Sequence, residues 1–163
     1  MNHKEKIKTL DEILEIVAKA KKEGKKIVTT NGSFDIFHFG HVKLFEECRK
    51  QGDILVVGIN SDQSIRAYKK KSGRPINSED ARAGVAAALS SVDYVFLFDD
   101  TTPLRWIEVL QPNVHCNSSE YGKPEEWIEY RSVIKNGGIC HTIERHNDGF
   151  STTEIIEKIK KYC

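Results

Sequence analysis

Several absences narrow the chemistry of this sequence before any motif is considered. No apolar run approaches the length needed to span a bilayer. Neither sign of charge dominates: the formal net charge is +1, which gives no basis for bulk attraction to nucleic acid or to a membrane surface. The cysteines Cys48, Cys116, Cys140 and Cys163 are widely spread and contain no Cys-x-x-Cys pair. That spacing speaks against a zinc knuckle or a redox dithiol and fits reduced thiols in a cytosol. Cys48, Cys116 and Cys140 lie within apolar patterns and read as small core residues. The first residues, Met1 to Lys6, are charged and lack the apolar core and small-residue cleavage site of a secretory signal, so the expectation is a cytoplasmic protein. Neither Gly-x-x-x-x-Gly-Lys-[Ser/Thr] nor Gly-x-Gly-x-x-Gly occurs, which leaves a P-loop and a dinucleotide fingerprint unsupported. A Gly-x-Ser-x-Gly elbow and a His-Glu-x-x-His pair are missing as well. No acidic cluster dictates a dedicated metal cage.

What remains is a chain of 163 residues with no internal repeat or low-complexity linker, suited to one domain over 1–163. Ile7, Leu10, Ile13, Leu14, Val17 and Ala20 form one stripe and predict an amphipathic helix over about 5–23, closed by Gly24. Strands are expected at about 26–30, at 54–60, where the run is apolar throughout, and at 94–98, 114–116 and 139–143. Helices are expected from about 41 to Gly52 and over 79–90, with an alanine-rich face of Ala81, Val85, Ala86, Ala88 and Leu89. Further helices are expected after Thr102-Pro103, with Trp106, Ile107 and Leu110 buried, over 123–136, and after Ser151-Thr152-Thr153-Glu154, a capping box. Residues 61–78 are polar and basic. Strands alternating with helices imply an α/β fold, a doubly wound parallel sheet of about five strands with helices on both faces. Ligands of such sheets lie beyond the carboxyl ends of the strands, where the strand order reverses.

The first strand leads into Thr30-Asn31-Gly32-Ser33-Phe34-Asp35-Ile36-Phe37-His38-Phe39-Gly40-His41, and a helix follows at once. A helix N-terminus offers unpaired N–H groups and a partial positive charge, so it favours anions. Imidazoles placed there add donors to the same anion. The local physics is that of a phosphate-handling loop.

The same residues carry a resemblance. Thr30 to Asp35 followed by His38-Phe39-Gly40-His41 looks like the signature of the HxGH nucleotidyltransferase superfamily, which is cytidylyltransferase-like and has a Rossmann-like fold. The chain is most similar to the heptose 1-phosphate adenylyltransferases of lipopolysaccharide-precursor synthesis. It is less similar to the glycerol-phosphate and choline-phosphate cytidylyltransferases. The similarity runs through Gly58-Ile59-Asn60-Ser61-Asp62, Gly73-Arg74-Pro75-Ile76-Asn77, Glu79-Asp80-Ala81-Arg82, Ser91-Val92-Asp93-Tyr94 and Gly149-Phe150-Ser151-Thr152-Thr153.

The resemblance implies attack of a phosphate monoester on the α-phosphorus of a nucleoside triphosphate, ATP or CTP, with loss of pyrophosphate and with Mg²⁺ accompanying the triphosphate. A phosphate nucleophile is already anionic, so the demand falls on positioning and charge stabilisation. The catalytic candidates are His38 and His41 with one of Lys69, Lys70 and Lys71. The nucleotide side takes Asn31, Gly32, Ser33, Phe34, Gly40, Lys43, Arg82, Asn117, Ser151, Thr152 and Thr153. The acceptor side takes Asp35, Asn60, Asp62 and Arg74. Plainer readings stand beside these: solvated lysines at 43 and 69–71, a surface arginine at 82, a turn-forming Asp35, a loop Asn117 and a capping role for 151–153. A homodimer is the tendency of the family.

Two segments depart from the relatives. Where heptose enzymes carry Lys-Gly-Gly-Asp-Tyr, this chain has Asn117-Ser118-Ser119-Glu120-Tyr121, so a cation is lost and two glycines gain side chains. Where cytidylyltransferases have an arginine three residues before the glycine, His146 stands and Arg145 precedes it; Ser33 replaces the usual cysteine. The expected activity is D-glycero-D-manno-heptose 1-phosphate adenylyltransferase, making ADP-heptose. The alternatives are a CTP-dependent enzyme for a small alcohol phosphate or phosphonate, and a nucleotide-binding protein without turnover.

Overall fold

A computed structural model of the chain describes residues 2–68, 73–144 and 151–162. Five strands, β1 (Ile27–Gly32), β2 (Ile54–Asn60), β3 (Tyr94–Phe98), β4 (Val114–Ser118) and β5 (Ile139–Ile143), form one sheet in the order β3-β2-β1-β4-β5. Every pairing is parallel. The chain steps outward from β1 to β2 and β3, then returns to the far side of β1 as β4. The order therefore reverses between β1 and β4. The expectation of a Rossmann-like doubly wound sheet is borne out.

Both faces are covered, which explains why β2 reads as apolar throughout. Leu55, Val57 and Ile59 point to one layer, with Phe45 and Cys48 of α3 (Phe39–Arg49) and Ala83, Ala86 and Ala87 of α5 (Glu79–Ala88). Ile27, Val56 and Phe96 point to the other, with Ile13 and Val17 of α2 (Leu10–Lys22), Trp106 and Leu110 of α6 (Leu104–Leu110) and Val133 of α7 (Tyr130–Lys135). The cysteines at 48 and 116 are buried and free, as expected of core residues, while Cys140 is half-buried. No helix among the described residues is long and apolar enough to cross a membrane.

Local interactions redraw several expected boundaries. The helix expected over 5–23 is split into α1 (His3–Lys6) and α2. Thr9 starts α2 afresh with a reciprocal capping box: its hydroxyl accepts from Glu12 N at 3.3 Å, and Glu12 Oε2 accepts from Thr9 N at 2.8 Å. Ile7 is thereby freed to bridge Val95, and Lys8 N donates to Val95 O at 2.9 Å, which closes the outer edge of β3. The helix expected over 123–136 shrinks to α7. Before it come two 3-10 turns, Ser119–Tyr121 and Pro124–Glu126. Trp127 then turns extended (φ −72°, ψ 141°) to bury its ring, with Nε1 donating to Gly122 O at 3.2 Å. Residues 62–68, which read only as polar, form α4 (Asp62–Tyr68). On α5 the buried face is rotated from the alanines expected: Ala81, Val85 and Ala88 face outward, and Arg82 lies inward with Ala83, Ala86 and Ala87. α8 (Thr152–Tyr162) begins where expected, with Ser151 Oγ accepting from Glu154 N at 3.1 Å. Glu154 Oε2 is buried without a hydrogen-bond partner.

Candidate active site

A cleft of about 350 Å³ opens at the carboxyl ends of the strands, at the point where the strand order reverses. One wall is the segment from Thr30 to Phe34 together with the start of α3. The other is formed by Asn117, Ser118, Glu120 and Tyr121 after β4, by Ile143 and Glu144 after β5, and by Ser151, Thr152 and Thr153. Two helix N-termini, of α3 and α8, thus meet in one cavity, and each offers unpaired amides to an anion.

The backbone of the first wall is held by its own side chains. Phe34 adopts a left-handed conformation (φ 44°), uncommon for a bulky residue, and its ring is buried. The ring lies over Gly32, where a Cβ would come within 3.1 Å of it and press the ring back by a few tenths of an ångström. Its edge supports the His41 ring at 5.2 Å and Phe45 at 4.9 Å. His38 precedes α3, and its ring stacks on that of His41 with centroids 3.8 Å apart and planes inclined by 25°. Burial, with the neighbouring His38 adding to it, pushes the His41 imidazole down to about 3. It is neutral at physiological pH. Because the His38 N–H donates to His41 Nδ1 at 3.4 Å, the ring proton sits on Nε2, which is left to donate. Lys43 lies one turn on, 5.3 Å from the Phe39 ring centre. Asn31 Oδ1 and Thr30 Oγ1 are buried at the floor without a hydrogen-bond partner, an arrangement that a ligand donor can complete.

Of the expected site residues, Asn31, Gly32, Ser33, Phe34, His38, Gly40, His41, Lys43, Asn117, Ser151, Thr152 and Thr153 all line this cleft. Arg82 and the four polar residues Asp35, Asn60, Asp62 and Arg74 do not. Arg82 is fully buried, donating from Nη1 to Ser33 O (2.7 Å) and Asn60 O (2.8 Å), from Nη2 to Asp62 Oδ1 (2.8 Å) and from Nε to Asn77 O (3.1 Å). Asn60 Nδ2 donates to Ser64 Oγ at 3.0 Å. Asp35, also buried, accepts from Arg74 Nε and from the amides of Ile76 and Asn77. Burial works to raise the Asp35 carboxyl, but the two amides and the Arg74 guanidinium outweigh it and hold it below the usual carboxylate range. Asp35, Asn60, Asp62, Arg74 and Arg82 therefore form a brace behind the first wall, tying it to β2, α4 and α5. Lys69, Lys70 and Lys71, and the expected arginine position at 145–146, lie outside the described residues.

Phe39, Leu44, Glu47 and Glu144 line the cleft without having been expected there, while Glu120 and Tyr121 belong to the 117–121 segment that the resemblance sets beside the base and ribose. Helical spacing carried part of that signal: Gly40, Lys43, Leu44 and Glu47 follow one face of α3. Nothing local marked Glu144, which arrives through the packing of β5.

Comparison with known proteins agrees with the geometry. The sequence pattern of the cytidylyltransferase-like family matches residues 29–158, most of the chain and every element of the cleft. The chain belongs to the cytidylyltransferase-like family. The expectation of a nucleotidyltransferase is borne out at that level. It is 47% identical to the bifunctional protein HldE of Geotalea uraniireducens over 95% of this chain and 31% of that protein. It is 41% identical to bifunctional HldE of Campylobacter jejuni over 98% of this chain and 32% of that protein. The chain thus spans about a third of the length of these curated relatives. Among solved structures, the lipopolysaccharide core biosynthesis protein of Thermoplasma volcanium superposes with a TM-score of 0.60 at 24% identity, covering 76% of this chain and 98% of that one. Pantoate-beta-alanine ligase of Francisella tularensis, solved with an ATP analogue and beta-alanine, gives 0.66 at 14% identity, covering 93% and 72%. At these identities both show the fold.

Proposed function

We propose that this chain transfers a nucleotidyl group from a nucleoside triphosphate to a sugar 1-phosphate, with ATP and D-glycero-D-manno-heptose 1-phosphate as the substrates and ADP-heptose as the product. The observation that carries the reading is the convergence of two helix N-termini on one cleft with the stacked His38–His41 pair between them. That is a site for a polyanion. The heptose assignment rests on the sequence resemblance and on the match to the HldE proteins.

A phosphate oxygen of the acceptor attacks the α-phosphorus, and the bond to the bridging α–β oxygen breaks. Pyrophosphate leaves with the electron pair, so no general base is required. His41, neutral and protonated on Nε2, donates to an oxygen of the transferring phosphoryl group, and His38 borders the same oxygens. Such donors do not have to reorganise as charge develops, which is where their catalytic value lies. The amides at the starts of α3 and α8 and the Lys43 ammonium hold the β- and γ-phosphates. Lys69, Lys70 and Lys71 supply the remaining cation. Asn117, Ser118, Glu120 and Tyr121 border the nucleobase and sugar. The brace around Asp35 and Arg82 acts on the substrates only through the wall it supports.

Among the described residues no group of three or more His, Cys, Asp or Glu forms a metal cage. The donor set, with Glu47, Glu120 and Glu144 separated along the cleft, fits a divalent cation that arrives on the triphosphate and keeps most of its waters. Mg²⁺ in that role neutralises phosphate charge. Free, buried Cys48 and Cys116 fit a reducing cytoplasm.

The change of the family lysine to Asn117 favours a second reading, a CTP-dependent cytidylyltransferase for a small alcohol phosphate. The deciding experiment is pyrophosphate release from ATP, CTP, GTP and UTP against a panel of sugar and alcohol phosphates. Release with ATP and heptose 1-phosphate is the expected result. Release with CTP alone selects the second reading, and no release with any pair leaves a binding protein without turnover.

A further inference from the structure

Trp106 Nε1, His115 Nε2 and Asn31 Oδ1 are buried and have no hydrogen-bond partner among the described residues. Buried polar groups are nearly always paired, so three orphans in one region call for a common cause. The strand pattern brings them together. Ile27 lies in the same apolar layer as Trp106, and side chains alternate along β1, so Thr29 and Asn31 face that layer too. Thr29 is the register partner of His115, and Asn31 is that of Gly58. Gly58 has no side chain, and the Trp106 ring covers it. Cζ2, on the indole edge that carries Nε1, would lie 3.3 Å from a Cβ there. On the other flank, the Trp106 and His115 ring centres are 6.1 Å apart.

The chemistry of the three atoms explains why they do not satisfy one another. Thr29 Oγ1 lies 2.8 Å from His115 Nδ1 and 3.5 Å from Val114 O, so its hydroxyl donates to the imidazole. Burial keeps that ring neutral by pushing it down to about 3, and its own proton then sits on Nε2. Two of the orphans are therefore N–H donors, which cannot pair with each other, and the third is an acceptor. Water has the matching set: two lone pairs for the N–H groups and a proton for the amide oxygen. Buried waters commonly make three such bonds. The same count fixes the amide, since an inward NH2 would bring a third donor against two. Asn31 lines the cleft, so Nδ2 is the group left to donate there.

We propose that one buried water joins Trp106 Nε1, His115 Nε2 and Asn31 Oδ1, and that Trp106 and His115 act through it as positioning residues for Asn31. Held in this way, the amide presents Nδ2 to a ligand oxygen at the cleft floor. That last step rests on the nucleotidyl-transfer reading, in which the oxygen belongs to the nucleoside triphosphate. The water site stands without it.

The test is NMR of the full chain, labelled with nitrogen-15 and free of substrates, read for contacts between indole protons and water. The two tryptophans supply an internal control, because Trp127 Nε1 donates to Gly122 O at 3.2 Å. The Trp106 indole proton shows a cross-peak to a long-lived water, the Trp127 proton shows none, and His115 is the Nε2–H tautomer. Absence of the Trp106 cross-peak overturns the proposal, as does an Nδ1–H tautomer at His115. The spectrum needs no substitution, so it decides even if a variant fails to fold. Steady-state kinetics test the positioning role. Trp106→Phe raises KM for the nucleoside triphosphate about fivefold with kcat held, the scale of one neutral hydrogen bond. Asn31→Ala raises the same KM, and adding Trp106→Phe to it changes nothing further, because the amide that Trp106 orients is gone. Effects that simply multiply overturn the positioning role. If the wild type shows no turnover with any nucleotide, the nucleotidyl-transfer reading fails, while the cross-peak still decides the water site.

Discussion

On one side of the cleft, the segment from Thr30 to His41 is braced from behind. Phe34 fills the space over Gly32, Asp35 gathers Arg74 and two backbone amides, and Arg82 ties Ser33 to Asn60 and Asp62. On the other side, the chain after Asn117 leaves the sheet through a 3-10 turn, and Tyr121 at its end is 63% exposed. The donors assigned to the reacting phosphoryl group sit on the braced wall, and the groups assigned to the base and acceptor sit on the open one. Transition-state stabilisation rewards donors that do not move, because pre-set dipoles cost no reorganisation during reaction. Choosing among substrates asks only for a difference in contacts, which an exposed turn can change without disturbing the fold.

Breaking the brace should have the largest effect. Arg82→Ala strands the Ser33 and Asn60 carbonyls and leaves the partly exposed Asp62 carboxylate only its longer contact with Arg66, a cost of up to about 3 kcal/mol, the low end for a buried ion pair. The expected outcome in denaturant titration is a loss of that order, together with loss of turnover. A loss of turnover with unchanged stability would mean that Arg82 reaches the substrate after all.

Removing a donor from the braced wall comes next. His41→Ala should lower kcat by about 100-fold or more with little change in KM, as for a donor used mainly in the transition state. The same residue has a signature in acid. His41 and the fully buried His115, whose Nδ1 lies 2.8 Å from Thr29 Oγ1, are both held down to about 3, in each case chiefly by burial, against an ordinary value of 6.5. Between those limits the unfolded chain binds protons that the folded chain refuses. The contribution of these two groups to stability is therefore complete above 6.5 and is lost as the pH falls towards 3. His41→Gln should flatten the fall of Tm with acid in part, leaving the share of His115. Thermal melts across that range check it.

The smallest effect is expected on the open wall. Asn117→Lys restores the cation that relatives carry there, and it should change the preference between ATP and CTP by roughly tenfold, the scale of one altered polar contact, with kcat for the preferred nucleotide kept. A collapse of kcat would place Asn117 with the reacting groups and erase the distinction between the walls.

Much of this site was legible in the sequence. The histidine loop announced itself because a β-branched run, a glycine-bearing loop and helical spacing follow one another within a few residues, and local pattern is what sequence reports best. The contents of the cleft from β1, α3, β4 and α8 followed from the resemblance those residues carry. Where the reading missed, non-local forces had intervened. Asp35, Arg74 and Arg82 were assigned to the ligands because the resemblance implies it. Only packing shows that Arg74 pairs with Asp35, and that Arg82 bonds Asp62 and the carbonyls of Ser33, Asn60 and Asn77. The helix expected over 5–23 fails at Ile7 because the open edge of β3, far away in sequence, offers it a better partner than another helical turn.

The sequence by itself determined the order of strands and helices, the parallel character of the sheet and the loop proposed to hold an anion, since each follows from period, caps and loop chemistry over short stretches. Only the tertiary structure decided which charged side chains face the cleft and which lie behind it, because that depends on where β2, α4 and α5 come to rest against the loop. A buried carboxylate or guanidinium takes whichever partners lie within reach once the backbone is in place, and sequence spacing does not encode that reach.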